Sequence, residues 1–310
     1  MSLLESKRNY QSGTIEKGQY INEMYHFHDL LFQYCQLQKA TDIKEITLTE
    51  DGIVFTSRKL NVKIFSDKAD KRAAPFEILN FDVYEKIDSQ MVFRLIEPDF
   101  NILDIGANIG WYSLNIAKLY PKTKITSFEP IPSTFVSLKK NIEINDVDNI
   151  QIYNFGLSNE EKSLKFYLQP DMSVSASATN ITGSNNIAEI TCNVKRLDDF
   201  IKEIDSKIDF IKCDVEGAEL FVFQGGIRTI QVNTPIIFTE MLRKWSAKFN
   251  YHPNEIISLL GEFGYLCFAV NKERLIEIPL MDENTIETNF FFLHSEKHAD
   301  KIKFFTNQSS

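Results

Sequence analysis

The amino-acid sequence predicts an α/β protein in which a mostly parallel sheet of seven strands carries helices on both faces, behind an N-terminal helix and a small hairpin extension. Three observations predict it. From Asn101 onward, short apolar runs alternate with helix-length amphipathic segments, the pattern of βαβ units. The first run, Asn101-Ile-Leu-Asp-Ile-Gly-Ala-Asn-Ile-Gly110, ends in an acidic residue and a glycine-spaced turn that opens a helix. The second, Ile125-Thr-Ser-Phe-Glu-Pro130, ends in a carboxylate.

Taken in order, residues 15–38 read as an amphipathic helix, because Ile21, Met24, Phe27 or His28, Leu31, Phe32 and Cys35 recur at helical spacing. Short alternating runs follow over 43–65, broken at Asp51-Gly52, a dipeptide that favours a hairpin turn. Helical spacing returns over 75–97 through Phe76, Leu79, Val83, Ile87 and Met91. Strands are expected near 101–106, 124–129, 150–155, 208–214 and 235–240, with a closing pair near 264–270 and 287–293. Between them fall helices near 111–120, 132–145, 195–206, 217–231 and 253–262. The helix at 132 opens on Pro132 and Ser133 and repeats Phe135, Leu138 and Ile142 along one face. One interval, residues 169–186, is rich in Ser, Thr and Asn and is read as a long loop, either a surface excursion or a substrate lid folded over the carboxyl ends of the strands. The organisation is thus an extension over 1–74, a main domain over 75–295 and a C-terminal tail over 296–310.

Composition bounds the function. With 43% hydrophobic residues in 310, the chain is long enough to bury a sizeable core. A formal net charge of −9 shows no electrostatic footprint for nucleic acid. Cys35, Cys192, Cys213 and Cys267 form no Cys-x-x-Cys pair, so neither a zinc site nor a redox motif is signalled. Three of them, Cys192, Cys213 and Cys267, lie in apolar runs and read as buried free thiols. The polar N-terminus and the lack of a membrane-length apolar stretch point to a cytoplasmic protein with no integral membrane segment. For the same reason the sequon at Asn180 is read as coincidental.

The chemistry begins at the first strand end. Gly106 lets the chain turn sharply and Gly110 lets the next helix pack closely. A dinucleotide fingerprint would need a glycine where Asn108 stands and another near Trp111, so room for a pyrophosphate is missing. S-adenosylmethionine carries no phosphate, and it fits this turn better. Asp104 is then expected near its ammonium group, the backbone of Gly106, Ala107 and Asn108 along its aminoacyl group, and Glu129, followed by Pro130, on both ribose hydroxyls. Asn154 and Gly156, at the third strand end, fall where an adenine edge would lie.

A second constellation lies in Ile208-Asp-Phe-Ile-Lys-Cys-Asp-Val-Glu-Gly-Ala-Glu219. Lys212, Asp214 and Glu216 alternate and share one face of an extended segment, and packing alone does not end a buried strand in three charges. Glu240 ends the next strand on the same rim. These four are the candidate catalytic residues: carboxylates that orient and deprotonate a hydroxyl beside a methyl donor. An ion pair of Lys212 with Asp214 that only supports the fold is the bland alternative. A divalent cation on Asp214 and Glu240 is a minority variant without a third ligand, so no metal is assigned. His252, on a loop after the fifth strand, is a secondary candidate base.

Asp104-Ile-Gly-Ala-Asn-Ile-Gly-Trp-Tyr112, Phe128-Glu-Pro130, Asn141 with Asn145, and Ile211-Lys-Cys-Asp-Val-Glu-Gly-Ala-Glu219 together resemble the FkbM-type methyltransferase family over roughly residues 84–241. The resemblance implies a Rossmann-like class I methyltransferase using S-adenosyl-L-methionine, commonly for O-methylation in polyketide or surface-polysaccharide biosynthesis. It also implies that Tyr84 and Glu85 reach the cofactor and that residues 173–177 line its pocket. Cys213 and Gln224-Gly-Gly226 are modest departures. The expected partners are a small-molecule or glycan acceptor and, as a homodimer, a second copy of the chain. N-methylation is disfavoured because no Asn-Pro-Pro-Tyr element follows the fourth strand. A non-catalytic scaffold or interaction protein is disfavoured by charge at every strand end.

Overall fold

The computed structural model describes residues 1–66, 71–169, 172–177, 188–204 and 207–306. Ser2 and Glu5 form a reciprocal capping box that starts α1 (Leu3–Gln11), a short polar helix outside the expected set. Its Tyr10 stacks on Tyr20 of α2 (Lys17–Leu37), the predicted first helix. The strands β1 (Ile43–Leu48), β2 (Ile53–Ser57) and β3 (Lys63–Ser66) then pair antiparallel in that order. The single helix expected over 75–97 is two, α3 (Ala74–Phe81) and α4 (Lys86–Leu95). Positive φ at Asp82 (70°) and Glu85 (41°) turns the chain between them, a break that apolar periodicity does not register.

The main sheet starts with β4 (Asn101–Ile105), α5 (Trp111–Leu119), β5 (Lys124–Phe128), α6 (Pro132–Asn145) and β6 (Ile150–Tyr153). Between this half and the next, β7 (Gly156–Leu157), β8 (Lys162–Gln169), β9 (Met172–Ser177) and β10 (Ala188–Lys195) build a second sheet in the order β7-β10-β8-β9. It corrects the loop expected over 169–186. Residues 172–177 are a strand, and small residues alternating with serine do not register as an apolar period. The rest of that expected loop, 170–171 and 178–186, lies outside the described residues.

The chain returns through α7 (Leu197–Ile204), β11 (Phe210–Cys213), α8 (Glu219–Gly225), α9 (Ile227–Asn233) and β12 (Ile236–Glu240). The pair Gly225-Gly226 splits the helix expected over 217–231 into α8 and α9. After α10 (Arg243–Ser246) and α11 (Asn254–Gly261) come β13 (Tyr265–Asn271), β14 (Arg274–Glu277), β15 (Asn289–His294) and α12 (Ala299–Thr306). The last helix lies within the expected tail and buries Phe305 against α4 and the sheet.

Strand order in the main sheet is β14-β13-β15-β12-β11-β4-β5-β6, with β4, β5, β6, β11 and β12 parallel and the last three strands antiparallel. The eighth strand, β14, adds to the seven expected; it is a four-residue hairpin return from β13, too short to stand out in the sequence. Alternate residues enter opposite cores. Leu103, Ile105, Ile211 and Ile237 pack on one face, and Ile102, Ile125, Phe210 and Phe238 on the other. Strand order reverses between β4 and β11, where Asp104 is paired with Lys212. At this switch point a doubly wound sheet opens a crevice.

Candidate active site

Gly106 continues β4 with φ +75°, and a Cβ there would sit 1.9 Å from the Asp214 carbonyl oxygen. Only glycine lets the two strand ends pass this closely. The Gly106 and Ala107 N–H groups both donate to the Phe128 carbonyl at 3.0 Å, and Asn108 then takes φ +51°. Glu129, 5% exposed, accepts from the Asn108 N–H at 3.0 Å on one carboxylate oxygen and from the Ile131 N–H at 2.9 Å on the other. Burial pushes its carboxyl up to about 7 against the opposing pull of these two donors. The Asn108 side-chain oxygen is buried and has no hydrogen-bond partner.

Facing this half across the crevice is the end of β11. Lys212 is 4% exposed and donates to the Gly106 carbonyl at 2.8 Å, with Asp104 at 3.4 Å and Asp214 at 3.6 Å. Burial alone would lower the Lys212 pKa, but the carboxylates of Asp104, Asp214 and Glu85 outweigh it and hold the ammonium charged. Half-buried Glu216 and Glu240 are pushed well above the ordinary carboxylate range, first by loss of solvent and then by Asp214 and by other carboxylates of the rim. Glu85 accepts from the Tyr112 hydroxyl at 2.5 Å and is raised to about 7, chiefly by loss of solvent.

These groups border one cavity of about 840 Å³. It is lined by Lys212, Asp214, Glu216 and Glu240 and by Glu85, Gly106, Ala107, Asn108, Glu129, Pro130 and Gly156. Three predicted residues stand behind the lining. Asp104, expected near the ammonium group, is 1% exposed, accepts from Ser113 at 2.5 Å and pairs with Lys212, so it braces the strand end from behind the lining. Gly110 packs on Leu138, and Asn154 donates to the Glu129 and Pro130 carbonyls at 2.8 and 3.1 Å, holding the second strand end in place. His252 does not line the cavity; its Nδ1 accepts from the Asn254 N–H at 3.2 Å in a local turn. The side chains of residues 173–177 lie outside the described residues.

Sequence reasoning missed the aromatic wall of Phe221, Trp245 and Phe249. Trp245 and Phe249 stand four apart after β12, a spacing that signals a shared helical face but not which site it borders. Among the described residues no group of three or more His, Cys, Asp or Glu is arranged to hold a metal ion. Cys192, Cys213 and Cys267 are buried free thiols and Cys35 is an exposed one.

A crevice at the switch point of a doubly wound sheet, with a glycine turn after one strand and a buried acid at the end of the adjacent strand, defines a nucleoside-cofactor enzyme. Residues 104–267, more than half of the chain, match the methyltransferase FkbM domain, and the chain belongs to that family. It is 28% identical over 201 residues to Methyltransferase 1 of Beauveria bassiana, covering 59% of this chain and 75% of that protein. It is 30% identical over 170 residues to the 2-O-methyltransferase NoeI of Sinorhizobium fredii, covering 50% and 68%. A solved structure of methyltransferase FkbM from Methylobacillus flagellatus is 18% identical with a TM-score of 0.43; the match covers 71% of this chain and about half, 53%, of that one.

The protein is an S-adenosylmethionine-dependent methyltransferase. Its residues suit that cofactor: the buried Glu129 carboxylate keeps lone pairs for a diol, and the unpartnered Asn108 oxygen can accept from an ammonium group. No helix among the described residues is long and apolar enough to cross a membrane.

Proposed function

We propose that the enzyme is an O-methyltransferase acting on a hydroxyl of a sugar in a glycan or glycolipid, or of a secondary metabolite, in the cytoplasm. The carrying observation is the set of half-buried carboxyls, Glu85, Asp214, Glu216 and Glu240, gathered on one side of the cavity opposite Glu129. Hydroxyl methylation needs acceptors of this kind, since the oxygen must lose a proton as it gains a methyl group. The printed name of NoeI, a 2-O-methyltransferase, supports the same reading. Free thiols without a disulfide among the described residues accord with a reducing compartment.

In this reading Glu129 receives the ribose hydroxyls, and the chain from Gly106 to Asn108 with Pro130 and Gly156 shapes the rest of the cofactor half. Bound S-adenosylmethionine supplies an electrophilic methyl group on a sulfonium. Asp214 and Glu240 orient the acceptor hydroxyl, and Glu216 takes its proton while the oxygen–carbon bond forms and the carbon–sulfur bond breaks. Lys212 holds Asp214 and the Gly106 carbonyl in register from below. The aromatic wall excludes water and offers ring faces to a sugar.

Incubation with methyl-labelled S-adenosylmethionine and a panel of methyl glycosides, phenols, amines and carboxylic acids tests the proposal. Label transfer to a glycoside or other hydroxyl compound, lost in Glu216→Gln with S-adenosylmethionine affinity retained, is the expected result. Transfer only to amines or carboxylic acids would overturn it.

A further inference from the structure

Glu216 reaches the cavity from a turn that the backbone does not favour. It takes φ +57° and the following Gly217 takes φ +99°, two successive residues in the left-handed region. For a glutamate such a conformation persists only when its surroundings fix it.

Two residues outside the proposed chemistry supply that fixation. Glu219, at the start of α8 and 1% exposed, turns its carboxylate back over the turn and accepts from the Val215 N–H at 3.1 Å and the Gly217 N–H at 3.0 Å on the same oxygen. These amides flank Glu216. The Tyr251 hydroxyl arrives from the segment after β12 and reaches the Gly217 carbonyl at 2.9 Å and the other Glu219 oxygen at 3.3 Å. The same segment presses on the turn: a Cβ on Gly217 would lie 3.0 Å from the Trp245 carbonyl carbon and 3.1 Å from the Phe249 ring. Trp245 and Phe249 line the cavity beside Glu216, so the contact ties the proton acceptor to the aromatic wall.

We infer that Glu219 and Tyr251 are positioning residues that clamp the Val215–Gly217 turn and so set both the place and the charge of Glu216. The inference rests on the role proposed for Glu216. Position comes from the two amide bonds, and charge comes from a carboxylate placed behind another carboxylate. Among the described residues, the groups acting on Glu216 include Asp214 on its own turn, Glu240 from the end of β12, Glu219 from α8 and Lys212 from β11. The first three disfavour its ionised form and Lys212 favours it. Glu219 itself is raised to about 7 by burial, held down by the amides it receives. Removing its charge while keeping its shape therefore moves Glu216 toward ionisation.

The test uses full-length enzyme saturated with S-adenosylhomocysteine, which needs no knowledge of the acceptor. Glutamate side-chain carboxyls are titrated by ¹³C NMR, with the Glu216 signal assigned through its loss in Glu216→Gln. In Glu219→Gln, whose amide oxygen still accepts from Val215 and Gly217, the Glu216 midpoint should fall to lower pH. In Glu219→Ala and in Tyr251→Phe, hydrogen exchange at the Val215 and Gly217 amides should quicken, by about tenfold for the alanine variant. An unchanged Glu216 midpoint in Glu219→Gln, or unchanged exchange in Glu219→Ala, would overturn the clamp. Failure of the underlying reading looks different. The clamp signatures would then appear while Glu216→Gln retained full methyl transfer in the acceptor panel.

Discussion

At the scale of single residues, the crevice depends on a contact that only one side chain type permits. The Cβ of alanine at Gly106 would overlap the Asp214 carbonyl at 1.9 Å, and that atom is backbone at a packed strand end. Gly106→Ala should destabilise the protein by at least about 3 kcal/mol and abolish S-adenosylmethionine binding. Thermal unfolding and calorimetry read the two effects, and wild-type affinity in the variant would contradict the geometry. The neighbouring cation makes a separable prediction. Lys212 is the ammonium between Asp104 and Asp214 and also the donor to the Gly106 carbonyl. Lys212→Met leaves Asp104 buried without its counter-charge, a change that typically costs about 3–5 kcal/mol. A melting temperature within a degree of wild type would show that the pair supports nothing.

Elements are joined by polar side chains that act as splints. Asn141, fully buried on α6, accepts from the Phe65 N–H of β3 at 2.8 Å and donates to the Ile109 carbonyl of the glycine turn at 2.9 Å. One turn later, Asn145 accepts from the Lys63 N–H at 2.9 Å and donates to the Lys63 carbonyl at 2.6 Å. The N-terminal sheet is thereby hydrogen-bonded to the helix that follows the cofactor strand. Asn141→Ala strands a buried donor and a buried acceptor, so a loss of about 2 kcal/mol is expected, with faster hydrogen exchange along β3. Protection of β3 unchanged from wild type would refute the splint. Such splints explain what was legible in the sequence and what was not. Asn141 and Asn145 stand out as the polar i, i+4 pair of a helix, yet their partner, residues 63–65, carries no sign of them. The central strands β4, β11 and β12 announce themselves because burial on both faces demands nearly continuous apolar runs. Strand β9 of the second sheet does not, because it is built largely of small and hydroxylated residues. The site divides along the same line. Strand-end charges such as Glu129 and Asp214 are conspicuous against apolar neighbours, whereas Phe221, Trp245 and Phe249 look like any core aromatics until topology brings them to the rim.

Across the whole molecule, the crowding of carboxyls about one cavity ties stability and cofactor binding to pH. Glu85, Glu129 and Glu219 are each raised to about 7, and Glu216 and Glu240 are raised well above the ordinary carboxylate range, in every case chiefly because the fold withdraws solvent from the ionised form. In the unfolded chain these groups titrate near the ordinary glutamate value of 4.5. An acid whose folded pKa lies above its unfolded one favours the native state most below the unfolded value, and that contribution is lost as pH rises through the folded value. The ligand-free enzyme should therefore lose stability between about pH 5 and 8, with an upper bound of about 3 kcal/mol for a single group such as Glu129. S-adenosylmethionine reverses the sign locally. Its sulfonium and ammonium charges and its ribose hydroxyls favour the ionised carboxylates, so their pKa values drop on binding. Binding near pH 6.5 should accordingly release protons, and affinity should rise from pH 6 to pH 8. Calorimetry in buffers of different ionisation enthalpy measures the proton count directly. S-adenosylhomocysteine, which lacks the sulfonium charge, should release fewer protons than S-adenosylmethionine, and Glu129→Ala fewer than wild type. Proton uptake on binding, or equal release by the two nucleosides, would show that the carboxyls of the crevice do not sense the charge on the methyl donor.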